Sequence, residues 1–291
     1  MPDAQRHEAG NNLRVELWPD RPPGRRGPQL LESVVPAGAI AGIDRPLMEI
    51  RRPAQPNGAC VVVLGGGGYR HIQMAKESDI AADLLMGLGV TAAVLHYRLP
   101  NDGWPAEAPV QDLQRALRLL RAHASDWSID PGRIGVLGFS AGGHLAAMGA
   151  TRFGMPTYEV ADDTDRLSAR PDFAALIFPV TTLLPPYDTT STRRVLMGGS
   201  SDADKARAFS PPLHAAGDAP PTFIAHAADD PIADPRQSLL MFEALQAAGV
   251  PVELHVFQSG GHGHANGAPG SRFSAWQGLF ADWVAPYLST R

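Results

Sequence analysis

Ser140 stands in the run Gly138-Phe139-Ser140-Ala141-Gly142, a serine with a glycine two places away on each side. A serine hydroxyl becomes a useful nucleophile only when a base takes its proton, so the run has meaning only with a histidine and an acid to serve it. Two later stretches supply them in chain order: His226-Ala227-Ala228-Asp229-Asp230-Pro231 and Ser259-Gly260-Gly261-His262-Gly263-His264. One of the two aspartates would orient the base. His262, whose flanking glycines keep the loop open around the ring, is a better base than His264 or His255. Attack on a carbonyl also leaves charge on its oxygen, and backbone N–H groups must receive it. The run Gly65 to Gly68 and the N–H of Ala141 are the donors on offer. The order serine, acid, histidine is that of an acyl-transfer triad mounted on an α/β sheet. A phosphate loop would be the rival use of the glycines, but no Gly-Lys-Ser/Thr follows them.

These residues need strand ends to hold them. Ile134-Gly135-Val136-Leu137 is an apolar run of strand length before the serine, and Gly143 to Met148 can continue as a helix after it. Cys60 to Leu64 is a strand that runs straight into the glycines, and a helix around Ala75 to Met86 follows. Thr91 to Leu95, Ala174 to Phe178, Thr222 to His226 and Val252 to Phe257 read as further buried strands. Between them, helices are expected over about Val110 to Ala124, about Pro235 to Ala248 and a last segment carrying Phe273, Trp276, Phe280 and Trp283. Alternation of this kind predicts an α/β fold: a mostly parallel central sheet with helices on both faces, its site beyond the carboxyl ends of the strands. Residues 1–53 are expected to form an N-terminal extension, polar and loosely ordered to Gly10, then short strands and turns from Leu13. Residues 54–291 are expected to form the catalytic core of a single domain.

Composition narrows the function. At 291 residues with 44% hydrophobic content the chain can bury one large core. A formal net charge of -5 gives no sign of a nucleic-acid partner. Cys60 is the only cysteine, which excludes an intrachain disulfide and a cysteine-based zinc cluster. No apolar stretch is long enough for a membrane span, and the first residues lack a signal peptide's hydrophobic region, so a cytoplasmic protein is expected from the chain as written, or an exported one if a signal has been removed from it. Asp162, Asp163 and Asp165 lack a calcium-loop spacing and are expected to be a solvated acidic loop. Arg98 is expected to pair with Asp112 as a structural bridge.

The combination of Gly66-Gly67-Gly68-Tyr69, Tyr97-Arg98-Leu99-Pro100, Gly138 to Ala146, Arg170-Pro171-Asp172-Phe173, Asp229-Asp230 and Gly260-Gly261-His262-Gly263 resembles the acetyl xylan esterase-like group of α/β-hydrolases, related to dienelactone hydrolases. The likeness extends over nearly the whole chain, including Leu17-Trp18-Pro19-Asp20; Gly65 replaces a usual Pro or His, and Ser78 a usual glycine. The resemblance implies an α/β-hydrolase fold, with Ser140 as nucleophile, Asp230 as acid and His262 as base. It also implies Gly66, Gly67 and Ala141 as oxyanion donors, with no cofactor and no metal. The expected activity is hydrolysis of short acyl esters, foremost acetyl groups on sugars or xylan-type oligosaccharides. A broad short-chain carboxylesterase or lactone hydrolase is the second expectation, and an inactive binding protein the third. Tyr69, Trp104 and Tyr187, with Trp18, are candidates to line the substrate site.

Overall fold

The computed structural model describes residues 6–9, 12–31 and 34–289. In chain order its strands are β1 (Arg6–Ala9), β2 (Asn12–Glu16), β3 (Ala39–Ile40), β4 (Leu47–Arg51), β5 (Cys60–Leu64), β6 (Ile72–Gln73), β7 (Thr91–His96), β8 (Ile134–Phe139), β9 (Ala174–Ile177), β10 (Thr222–Ala227) and β11 (Val252–Phe257). Its helices are α1 (Asp79–Gly87), α2 (Ala108–Ala122), α3 (Ala141–Thr151), α4 (Ser191–Met197), α5 (Ala203–Ala208), α6 (Arg236–Ala247) and α7 (Trp276–Leu288). Nine strands form one sheet in the order β1-β2-β4-β7-β5-β8-β9-β10-β11. The six strands from β7 to β11 run parallel, and β1, β2 and β4 extend the sheet antiparallel at one edge. This is the α/β-hydrolase fold.

Strands β5, β8 and β9, at the centre of the sheet, are apolar and buried from end to end because both faces are covered there. Along β5, Cys60, Val62 and Leu64 enter a core shared with Leu113 and Leu117 of α2, Leu145 of α3 and Met241 of α6. The alternate residues Val61 and Val63 enter a second core with Leu85 of α1 and with Trp276, Phe280 and Val284 of α7. A period of two along the strand thus feeds two hydrophobic layers. Cys60 is fully buried, as expected of a small core residue. Among the described residues no helix is long and apolar enough to cross a membrane.

Two expectations shift. The stretch to Gly10, expected to be loose, contains β1, whose backbone pairs with β2 from Arg6 opposite Val15 to Ala9 opposite Asn12; residues 1–5 and Gly10 lie outside the described residues. Helix α1 also starts later than the apolar spacing suggested. A π-helical turn, Met74–Ser78, precedes it and buries Glu77 and Ser78. Such turns concentrate at functional sites, and this one faces the glycine run.

The parallel strands put four loops along one edge of the sheet: the glycines after β5, the serine after β8, the aspartates after β10 and the histidine after β11. Strand order reverses around β5, with β7 laid down on one side and β8 on the other. Loops diverge at such a point and leave a crevice.

Candidate active site

Ser140 has φ 51° and ψ -115°, a backbone that side-chain-bearing residues rarely adopt. The neighbouring glycines explain how the turn is tolerated. A Cβ on Gly138 would sit 2.1 Å from the Gly142 carbonyl oxygen, and one on Gly142 would sit 2.1 Å from that of Leu64. Backbone crosses backbone here, so only hydrogens fit. The result lifts Ser140 out of β8 at the first turn of α3, 7% exposed.

Its Oγ lies 2.8 Å from Nε2 of His262, and His262 Nδ1 lies 2.6 Å from Oδ2 of Asp230. Of the two aspartates, Asp230 therefore meets the imidazole. Its other oxygen, Oδ1, accepts the backbone N–H groups of Ile232 and Ala233 at 2.8 and 2.9 Å. Burial alone would raise this carboxyl, but hydrogen bonds from His226 and His262, with the charge of His262 and the Ala233 N–H, outweigh it and hold the group well below the usual range. It is a permanent anion at neutral pH. Asp229 does a different job: its Oδ1 accepts the N–H groups of Gly260 and Gly261 at 2.8 and 2.9 Å and so ties down the loop that carries His262. The ring of Phe178, itself at φ +37°, lies 4.8 Å from the imidazole. His264 and His255 are not part of this cluster: His264 Nδ1 accepts from the Asn266 N–H, and His255 pairs with Glu253.

The glycine run corrects one expectation. Gly66, expected to donate to the oxyanion, already gives its N–H to Oε2 of Glu77 at 2.5 Å. Its peptide is pinned from the other edge as well, because the Tyr97 hydroxyl donates to the Gly65 carbonyl at 2.6 Å. A trans peptide points its C=O and N–H in opposite directions. The Gly66 carbonyl accepts from Gln73 N–H and the Gly67 carbonyl from Arg70 N–H, so the N–H groups of Gly67 and Gly68 turn the other way. Neither donates to an acceptor among the described residues. Nor does the N–H of Ala141, which as the first residue of α3 has no intrahelical partner. Gly67 and Ala141 keep free donors, and Gly68 is one that the sequence did not single out. A Cβ on Gly66 would fall 2.9 Å from both the Ser140 Cβ and Glu77 Oε2, which places the loop and its buried acid directly against Ser140.

Glu77 is 2% exposed. Burial raises its carboxyl to about 7, against the Gly66 N–H and the Lys76 charge, which favour the ionised form. The turn that carries it also holds the histidine loop, since the Lys76 carbonyl accepts the Ala265 N–H at 2.9 Å.

The aromatic candidates fare differently. Tyr69 is corrected from substrate wall to buried strut. It is 1% exposed, and its hydroxyl meets His144 Nδ1 at 2.9 Å, while His144 Nε2 donates to the Phe209 carbonyl. Burial drives His144 down to about 4, so the link is neutral. Trp104 is likewise committed elsewhere: its indole N–H donates to the Ile43 carbonyl, and the Arg98 guanidinium stands 4.9 Å from its ring. Trp18 is core, its N–H given to Asp112. Tyr187 is half-buried in the segment after β9, held by its backbone carbonyl accepting from Gln237 of α6, and is the candidate whose ring has no polar or aromatic partner among the described residues.

Arg98 and Asp112 do form a bridge, both fully buried, that joins the end of β7 to α2. The acidic loop is not simply solvated, because Asp162 and Asp165 both pair with Arg115. Among the described residues no three acidic, histidine or cysteine side chains converge as a metal site. Sequence reasoning missed Glu77, His226 and the role of Asp229. The one local signal was a histidine four residues before an aspartate; Glu77 stands among Lys76, Ser78 and Asp79, and nothing in that run marks it as buried.

Comparison with known proteins bears on the family and the fold. The BD-FAE family profile matches residues 48–245. The chain is 31% identical over 224 residues to endo-1,4-beta-xylanase B of Butyrivibrio fibrisolvens, covering 75% of this chain and 34% of that protein. It is 30% identical over 219 residues to an acetylxylan esterase of Xylanibacter ruminicola, covering 74% of this chain and 43% of that protein. The chain thus spans less than half the length of these two relatives. A solved acetyl ester-xyloside bifunctional hydrolase from Caldicellulosiruptor lactoaceticus is 32% identical, with a TM-score of 0.76 over 91% of this chain and 97% of that one.

Proposed function

Because the chain belongs to the BD-FAE family and has the α/β-hydrolase fold, we propose that it is a serine esterase that removes acetyl groups from acetylated sugars or xylan-type oligosaccharides. The observation that carries the chemistry is the unbroken line from Ser140 Oγ through His262 to Asp230, at 2.8 and 2.6 Å, along the carboxyl edge of the sheet. The acetyl preference draws on the named activities of the acetylxylan esterase and the acetyl ester-xyloside hydrolase to which it is similar.

In this reading Ser140 Oγ attacks the ester carbonyl as His262 Nε2 takes its proton. The N–H groups of Gly67, Gly68 and Ala141 receive the charge on the carbonyl oxygen. The tetrahedral intermediate collapses, the C–O bond to the sugar breaks, and His262 returns the proton to the leaving alcohol oxygen. Water then attacks the acetyl-Ser140 ester with His262 again as base, releasing acetate and the free serine. Asp230 holds the tautomer with the proton on Nδ1, and its charge stabilises the imidazolium in both halves.

The test compares 4-nitrophenyl acetate, butyrate and octanoate with acetylated xylooligosaccharides, using the wild-type protein and Ser140→Ala. We expect acetate release from the oligosaccharides and a steep loss on the longer acyl chains, with turnover in Ser140→Ala lower by several orders of magnitude. Good turnover of octanoate with no acetate released from the sugar would move the protein to the broad carboxylesterases. Turnover unchanged in Ser140→Ala would overturn the triad.

A further inference from the structure

His226 lies behind the triad and is fully buried at the end of β10. Its Nε2 is 3.1 Å from Asp230 Oδ2, the same oxygen that meets His262, and 2.9 Å from the Ala233 carbonyl oxygen. Both partners can only accept, the carboxylate being ionised, so Nε2 carries a proton and shares it between them. Nδ1 then accepts from the Ser238 hydroxyl of α6, 2.7 Å away. One carboxylate oxygen therefore serves two imidazoles, and a second serine fixes the tautomer of the rear one. Of the other charges near in sequence, Asp229, Asp234 and Arg236 are exposed; the titratable groups on neighbouring elements are His262, from the loop after β11, and Glu77 of the π-helical turn, which lies against Ser140 across Gly66 and is the same in every variant.

We propose that His226 is a positioning residue for the triad: its Nε2–H holds the Asp230 carboxylate in line with His262 and disperses part of its negative charge, which sets the basicity of His262. The proposal rests on the esterase reading. Its consequence has a sign. The base must be neutral to take the Ser140 proton, so kcat/KM rises with pH as His262 loses its own proton. A carboxylate stripped of one N–H donor keeps more charge on the oxygen facing the imidazole. It therefore favours imidazolium, and the rise moves to higher pH.

The experiment measures kcat/KM against pH on 4-nitrophenyl acetate for the wild type, His226→Leu and His226→Gln. The Leu variant has no donor. We expect its acid limb to shift upward by about half a pH unit or more, with kcat reduced about tenfold or more and KM nearly unchanged. The Gln variant can donate to Asp230 and accept from Ser238, and its limb should stay with the wild type. A folded Leu variant whose limb does not move, or a Gln variant displaced as far as Leu, would overturn the proposal. A second measurement needs no variant: nitrogen-15 NMR of the folded wild-type protein should show neutral His226 protonated on Nε2. Protonation on Nδ1 would overturn the proposal even if His226→Leu fails to fold. Absence of Ser140-dependent turnover in the wild type would instead remove the esterase reading and leave the NMR result to decide the geometry.

Discussion

Glu77 holds the Gly66 N–H with a carboxyl that burial has raised to about 7, while burial has lowered His144, hydrogen-bonded to the Tyr69 hydroxyl, to about 4. Their effects on stability have opposite signs. Between pH 4.5 and 7 the folded protein binds more protons at Glu77 than the unfolded chain does, so this residue makes stability fall as pH rises. Between pH 4 and 6.5 the folded protein binds fewer at His144, so that residue makes stability rise with pH. The two nearly offset where they overlap, and Glu77 dominates above it. Gln in place of Glu77 keeps an acceptor for Gly66 without the charge. The stability of Glu77→Gln relative to wild type should therefore grow from pH 5 to pH 8, by on the order of 3 kcal/mol in urea unfolding. A difference that stays flat over that range would contradict the assignment of a buried, reluctantly ionised carboxyl.

The elements around the site were legible where sequence carries period or punctuation. The strand-turn-helix at Ser140 could be read because an apolar run, spaced glycines and small helical residues each have one sterically reasonable use. The order of the aspartate and histidine loops followed from the strands that feed them. What could not be read was which backbone groups were already engaged. Whether Gly66 or Gly68 keeps a free N–H depends on a π-helical turn eleven residues downstream of Gly66, and nothing local announces it. The same holds for Tyr69 and Trp104: an aromatic next to a catalytic loop looks like a substrate wall until its polar tip is seen bonded elsewhere. Glycine itself has no single meaning. Ala at Gly138 would drive a Cβ into the Gly142 carbonyl, and we expect about 3 kcal/mol or more of lost stability in denaturant titration. Ala at Gly278, exposed within α7 with nothing within 4 Å of the added carbon, should instead stabilise by about 0.5–1 kcal/mol.

Across the whole molecule, the N-terminal strands and the parallel core share one hydrogen-bonded sheet through β4 and β7, and Arg98 fastens the same junction from inside. Its guanidinium reaches Asp112 and Gln111 of α2 and the Pro23 carbonyl of the entry segment. We infer one cooperative domain, and expect thermal unfolding to give a single transition with coincident midpoints in far- and near-ultraviolet circular dichroism. Asp112→Ala would strand a buried cation and should cost about 3–5 kcal/mol without splitting that transition. Two resolved transitions would instead separate the entry segment from the core. On the proposed esterase reading, this scaffold activates one serine, Ser140. The most direct test of that reading is intact-mass analysis after treatment with a fluorophosphonate ester, followed by peptide mapping. A single adduct on Ser140 is expected, forming rapidly in the wild type, slowly in His262→Ala and not at all in Ser140→Ala. An adduct on another residue, or equal labelling of all three proteins, would contradict it.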